Sequence, residues 1–329
     1  MPDPARAAQI ERFLAAAGWG RAERRPLAGD ASFRRYDRLR DGSRRAVLMD
    51  APPPHEDVRP FMRIARHLAA VGLSAPDILE ADEAAGLLLL EDLGDDLYTR
   101  VLRSGAADEA ELYGVAADVL AALHDAPAGE APPYDEARLL AEADLLVEWY
   151  LPLRAGRAMP AEVVESYRAA WRAVLPVVLA GPQRMVLRDY HADNLLWLPE
   201  RTAARRCGLL DFQDAVVGSP AYDLVSLLED ARRDVAGATV TATLQRYHAL
   251  VNTRDLQAFS AAYAVLGGQR NAKIVGIFAR LWKRDGKPQY MDYLPRVWGH
   301  LAGDLAHPAL EPVRRWFDAN VPGAWRKWP

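Results

Sequence analysis

Two stretches of the chain carry side chains at a spacing that suits chemistry. The first is Leu187-Arg188-Asp189-Tyr190-His191-Ala192-Asp193-Asn194, and the second is Gly208-Leu209-Leu210-Asp211-Phe212-Gln213. Asp189 and Asn194 lie five positions apart. Met185 to Leu187 lead into the first stretch, and the apolar run Leu195-Leu196-Trp197-Leu198 follows it. The pattern predicts strand, tight polar loop, strand, turn and strand, with Asp189, Asn194 and Asp211 at one end of a small sheet. A carboxylate in such a loop can orient a hydroxyl and receive its proton. A neutral amide oxygen and a second carboxylate are donors for a hard cation such as Mg²⁺. The set suits transfer of a phosphoryl group from a magnesium nucleotide to an alcohol, which asks for positioning and charge more than covalent participation. The plainer alternative makes Asp189 and Asn194 turn residues and Asp211 a helix cap. The flanking strands and the later run Gly218-Ser219-Pro220-Ala221-Tyr222-Asp223-Leu224 weigh against it. Asp223 falls among apolar neighbours and needs hydrogen-bond partners, for which the backbone near Arg188 and Asp189 is the natural candidate.

The elements that would position these groups can be read in order. Residues 5–18 predict a short amphipathic helix. Gly29, Asp30, Ala31 and Ser32 form a small-residue turn between candidate strands, where backbone N–H groups can approach a phosphate or simply close a hairpin. A strand over 45–49 precedes Pro52-Pro53-Pro54, and a helix over 56–71 follows with apolar residues at i, i+3, i+4 spacing. Glu56 at its start reads as a first-turn acid favoured by the helix dipole. Strands are expected at 78–80 and 87–91. Beyond Asp92-Leu93-Gly94-Asp95, helices are expected over 106–125, 135–151, 161–179, 236–253, 255–283, 289–303 and 308–318.

Composition sets limits. The chain has 329 residues, half of them apolar, and a net charge of −4, which argues against a binder of nucleic acid that relies on basic charge. Cys207 is the sole cysteine, so no intrachain disulfide or cysteine zinc cluster can form. No signal-peptide pattern opens the chain, and its longest apolar runs are too short to span a bilayer. A soluble cytoplasmic protein with no obligatory protein partner is expected. The lysines are Lys273, Lys283, Lys287 and Lys327, so the first 272 residues contain none.

With Leu187 to Asn194, Leu210-Asp211-Phe212-Gln213 and Gly218 to Leu224 in hand, the chain resembles the aminoglycoside phosphotransferase family, protein-kinase-like enzymes that act on small molecules. Three stretches look like the bacterial sugar kinases that phosphorylate N-acetylmuramate and N-acetylglucosamine on the anomeric hydroxyl during peptidoglycan recycling. They are Gly29-Asp30-Ala31-Ser32-Phe33-Arg34-Arg35-Tyr36, Met49-Asp50-Ala51-Pro52-Pro53, and Gly268-Gln269-Arg270-Asn271-Ala272-Lys273 with Gly276 to Leu281. The resemblance implies an α+β, two-lobed, protein-kinase-like fold, one domain with a small β-rich N-lobe over 1–92 and a larger, mostly helical C-lobe over 93–329. It implies ATP and Mg²⁺ as cofactors, Asp189 as base, Asn194 and Asp211 as metal ligands, and Asp223 as the brace of the catalytic loop. Gly29, Asp30, Ala31 and Ser32 would cradle the phosphates, and adenine would meet main-chain groups near Glu91 and Leu93. Leu187 stands where protein kinases have His, and Gln213 where they have Gly. Met49 stands where a strand lysine would bind phosphates; Arg34, Arg35, Arg44 and Arg45 lie nearby.

For the sugar, Arg270, Asn271 and Lys273 on helix 255–283 offer a cationic group to the lactyl carboxylate of N-acetylmuramate, or else form a solvated basic face. Glu148 and Tyr150 can stack against and hydrogen-bond a sugar ring, or else Tyr150 is core. Two alternatives remain: a kinase of the same fold for an aminoglycoside or other small alcohol, and a catalytically inactive binding module.

Overall fold

The computed structural model describes residues 4–27 and 34–327. The expected phosphate loop at Gly29, Asp30, Ala31 and Ser32 lies outside the described residues. The chain divides into two compact units. One comprises Met1–Asp108 with Asp193–Asp214, the other Glu109–Ala192 with Ala215–Pro329. The division differs from the expected boundary after residue 92. The cause is a set of main-chain bonds within the first unit. Trp197 N–H donates to Asp96 O at 2.7 Å, Leu209 N–H donates to Ser74 O at 2.9 Å, and Leu97 bridges Leu196. These tie 193–214 to the N-terminal segment.

The first unit is built on a five-stranded antiparallel sheet. Its strands are β1 (Glu23–Pro26), β2 (Arg35–Asp41), β3 (Arg44–Asp50), β4 (Ile78–Asp82) and β5 (Leu87–Leu90), in the order β1-β2-β3-β5-β4. Leu39 pairs with Ala46, and Leu48 with Leu89. Period-two alternation puts Leu39, Ala46, Leu48, Leu87 and Leu89 against Ile10, Leu14 and Trp19. Leu88 and Leu90 point the other way and are also buried. A strand covered on both faces reads as an unbroken apolar run, which is why β5 is four leucines. Helix Arg59–Ala70 buries Phe61, Met62, Ile64, Ala65 and Leu68 on one face. It starts three residues later than expected, so Glu56 precedes it.

The second unit is mostly helical, around the 30-residue helix Leu256–Asp285. Gly276 lets this helix press on a neighbouring backbone: an added Cβ would lie 2.2 Å from the carbonyl carbon of Leu145. The expected helix over 135–151 breaks there into Glu136–Ala143 and a π-helical turn, Leu146–Tyr150. The one over 161–179 divides at Pro176, which has no N–H to continue it. The expected small catalytic sheet is two separate ribbons. Strand β6 (Arg184–Val186) pairs with β9 (Val216–Gly218), and β7 (Leu195–Trp197) with β8 (Cys207–Leu209). Strand β9 is three residues long and not anticipated from the sequence.

Candidate active site

Asp189 follows a residue in an unusual conformation. Arg188 has φ 70°, in the left-handed region, and Asp189 N–H donates to Leu187 O at 2.9 Å. This closes a three-residue turn of a kind that is rare because it is strained. Its surroundings hold it in place. The buried carboxylate of Asp223, in the first turn of helix Ala221–Leu228, accepts from the N–H groups of Leu187 at 2.7 Å and Arg188 at 2.9 Å. Ser226, on the same helix face three residues on, donates its hydroxyl to Arg188 O at 3.0 Å. The same Oγ accepts from the Arg270 guanidinium at 3.0 Å. The peptide between Arg188 and Asp189 is therefore fixed at both its C=O and its N–H.

The side chains around this turn are also tied. The Arg188 guanidinium pairs with Glu142, which takes Lys273 Nζ at 2.9 Å and the Tyr134 hydroxyl. Tyr190 donates its hydroxyl to Ala116 O at 2.9 Å. Burial pushes the Asp223 carboxyl up to about 7, while the N–H groups of Leu187 and Arg188 pull it back. Burial would raise Glu142 as well, but Lys273 and Arg188 hold it below the usual carboxylate range. Asp189 is exposed between buried Leu187 and Tyr190. His191 in the same motif is buried, and burial with the charges of Arg232 and Arg270 drives its pKa well below the ordinary value. A neutral, enclosed imidazole is a poor proton acceptor for an incoming alcohol, so Asp189 is the candidate base.

Asn194 and Asp211 sit on neighbouring backbone within the first unit. Leu210 N–H donates to Asn194 O at 3.0 Å, tying the residue before Asp211 to the end of the loop. Asp211 adopts φ 56°, again left-handed, and accepts from Gln213 Nε2 at 2.8 Å. Phe212 is buried and stacks on Phe61 with centroids 4.9 Å apart. Among the described residues no group of three or more His, Cys, Asp or Glu side chains is placed to hold a metal. Two half-buried oxygen side chains fit Mg²⁺, which commonly takes one or two protein donors and completes its shell with phosphate oxygens and water.

Glu91 N–H is engaged by Asp77 O at 2.8 Å, and its carboxylate pairs with Arg201. The main-chain group at Glu91 suited to a base is therefore its carbonyl. Leu93 packs on Gly208, where an added Cβ would lie 3.0 Å from Leu196 Cβ and 3.2 Å from Leu93 Cδ1. Leu93, Leu196 and Leu198 thus meet over a glycine and form an apolar platform. Sequence reasoning missed it, because the glycine's partners come from two segments separated from it and from each other in the chain.

Several expected sugar contacts face inward. Tyr150 is fully buried and donates its hydroxyl to Trp325 O, so it is framework. Arg270 is buried and spends its guanidinium on Ser226 Oγ and Glu229 O. Asn271 is fully buried and donates to Glu229 Oε2 at 2.7 Å and Asp304 Oδ2 at 2.9 Å. Lys273 is committed to Glu142, and Glu148 is exposed. The reason is common to Arg270 and Asn271. Helix Leu256–Asp285 is enclosed on several sides, and these side chains satisfy buried partners on neighbouring segments instead of facing solvent. Glu56 is likewise not a first-turn acid. It pairs with Arg34, Nε to Oε2, at 3.0 Å. Ser226, Glu142 and the Arg34–Glu56 pair carry no local sequence signal, since their partners lie far along the chain.

A model of the phosphotransferase enzyme family matches residues 23–262. The chain belongs to that family. The N-acetylmuramate/N-acetylglucosamine kinase of Caulobacter vibrioides is 42% identical over an alignment covering 96% of each chain. The protein of the same name in Pseudomonas aeruginosa is 39% identical, with 93% of this chain and 94% of that one covered. The crystal structure of the aminoglycoside phosphotransferase APH(2'')-Ib with ADP bound superposes with a TM-score of 0.59 at 16% identity, covering 94% of this chain and 99% of that one. This phosphotransferase is an α+β protein of the protein-kinase-like fold, with an antiparallel-sheet unit and a mostly helical one. No helix among the described residues is long and apolar enough to cross a membrane.

Proposed function

We propose that this phosphotransferase carries the terminal phosphoryl group of ATP to the anomeric hydroxyl of N-acetylmuramate and N-acetylglucosamine. The supporting observation from the structure is Asp189: an exposed carboxylate on a strained turn in which the N–H groups of Leu187 and Arg188 and the Arg188 carbonyl are tied down. The names of the relatives support the acceptor. In this reading Asp189 orients the sugar hydroxyl and takes its proton as the new O–P bond forms and the bond to the ADP oxygen breaks. An anomeric hydroxyl is more acidic than an ordinary alcohol, so orientation does most of the work. Asn194 and Asp211 would hold Mg²⁺, which supplies charge neutralisation at the phosphates when bound. The Glu91 carbonyl and Leu93 N–H would read the adenine edge above Leu93, Leu196 and Leu198.

The test is ADP release across a panel of N-acetylmuramate, N-acetylglucosamine, an aminoglycoside and choline, with the Asp189→Asn variant beside it. The two amino sugars should be turned over best, and the variant should lose roughly 10²–10⁴-fold in kcat. Turnover confined to another alcohol would replace the substrate. An unchanged kcat in the variant would remove Asp189 from the chemistry.

A further inference from the structure

Met49 stands on β3, paired across the sheet with Tyr36 on β2 and Leu88 on β5, and is 1% exposed. A buried thioether cannot hold a phosphate, and no lysine precedes Lys273. A phosphotransferase of this fold still has to offset the charge of its nucleotide. Several described arginines of the first unit can be sorted by what they touch. Arg6 pairs with Asp50, Arg24 with Glu11 and Asp37, and Arg38 with Asp92 and Asp95. Arg44 pairs with Asp41 and lies over the Trp19 ring, and Arg35 and Arg45 are exposed.

Arg34 is placed differently. It immediately precedes β2, and its side chain and that of Glu56 are 17% and 14% exposed. Glu56 lies just before helix Arg59–Ala70, whose Phe61 stacks on Phe212, the residue after Asp211. Asp211 is among the charges that act on both Arg34 and Tyr36. The helix that follows Glu56 is thus packed, through Phe61 and Phe212, on the segment that carries the candidate Mg²⁺ ligand. The guanidinium presents five N–H donors in a planar fork, of which Nε serves Glu56.

We infer that Arg34, oriented by Glu56, binds the nucleotide's α- and β-phosphates and does the work of the lysine that β3 lacks. This rests on the reading of the chain as an ATP-dependent phosphotransferase. The pair is 22 residues apart in sequence and joins two segments outside regular structure.

The test is equilibrium binding by calorimetry, without turnover, of ADP with Mg²⁺ and of adenosine. The proteins are the wild type, Arg34→Ala, Arg34→Lys and Glu56→Gln, each checked by thermal unfolding. Arg34→Ala should weaken ADP by about ten- to a hundred-fold, the range for hydrogen bonds to a charged group. It should leave adenosine within about twofold, because only the phosphates lose a partner. Arg34→Lys should fall between, keeping charge but losing the fork, and Glu56→Gln should weaken ADP alone by several-fold. ADP binding that Arg34→Ala leaves unchanged overturns the inference, as does an equal loss for ADP and adenosine. If Arg34→Ala unfolds, Arg34→Gln takes its place: ADP affinity equal to wild type in Arg34→Gln overturns the inference. A wild type that binds no ADP would instead sink the nucleotide-dependent reading itself.

Discussion

Replacing Ser226 with alanine removes one oxygen and breaks two contacts at once. The hydroxyl that donates to Arg188 O at 3.0 Å disappears, and so does the acceptor for the Arg270 guanidinium at 3.0 Å. Ser226 is fully buried, so water cannot replace either partner. A neutral hydrogen bond is worth about 1 kcal/mol and one to a charged donor about 1.5–3 kcal/mol, so the loss should come to about 2–4 kcal/mol. The change of volume is one oxygen, and cavity cost adds little. The function should suffer in a particular way. The released carbonyl belongs to the peptide that carries Asp189, and the φ 70° turn at Arg188 loses one of its restraints. A small displacement of the base lowers kcat by roughly tenfold or more. The Asn194–Asp211 segment is untouched, so KM for ATP should stay within about twofold. Urea unfolding gives the stability change, and steady-state ADP release gives kcat and KM. Ser226→Ala with stability within about 0.5 kcal/mol of wild type and unchanged kcat would show that this hydroxyl braces nothing.

Two other perturbations follow from buried contacts in the same unit. Glu229 and Asp304 are buried together and share Asn271; burial raises both carboxyls above the ordinary range, and the Glu229 charge raises Asp304 further. An acid with a raised pKa costs nothing while protonated in both states and costs most once ionised. Stability from this site therefore falls as pH rises from near the ordinary glutamate value of 4.5 toward neutrality. Glu229→Gln should lose less stability than wild type between acid and neutral pH, measured by urea unfolding at several pH values; parallel pH profiles would contradict the shared burial. Gly276→Ala gains up to about 1 kcal/mol of helix propensity. The new Cβ would lie 2.2 Å from a Leu145 backbone atom, however, and overpacking of about 1–3 kcal/mol or more should win. A higher melting temperature for Gly276→Ala would mean that the helix crossing yields more readily than its geometry suggests.

Much of the site was legible because it is local. Asp189, Asn194 and Asp211 fall in loops bounded by short apolar runs, and the alternation of polar loop and strand survives in the sequence as spacing. Asp223 could be recognised as needing partners from its apolar neighbours alone. The same locality explains what failed. The strands around the loop were expected to form one sheet, but a three-residue strand carries too little pattern to declare its partner, and β6 chose β9 over β7.

The amino-acid sequence by itself determined the family, the α+β class and the order of the candidate catalytic and metal-binding groups, because each rests on residue types a few positions apart. Tertiary structure decided what the charged residues touch. A helix enclosed on several sides loses the one-sided stripe that distinguishes core from surface, so Arg270 and Asn271 read as sugar contacts or a basic face, whereas both are buried and hydrogen-bonded internally. Glu56 read as a helix-dipole acid because its partner Arg34 is 22 positions away, and only folding brings a charge across that distance.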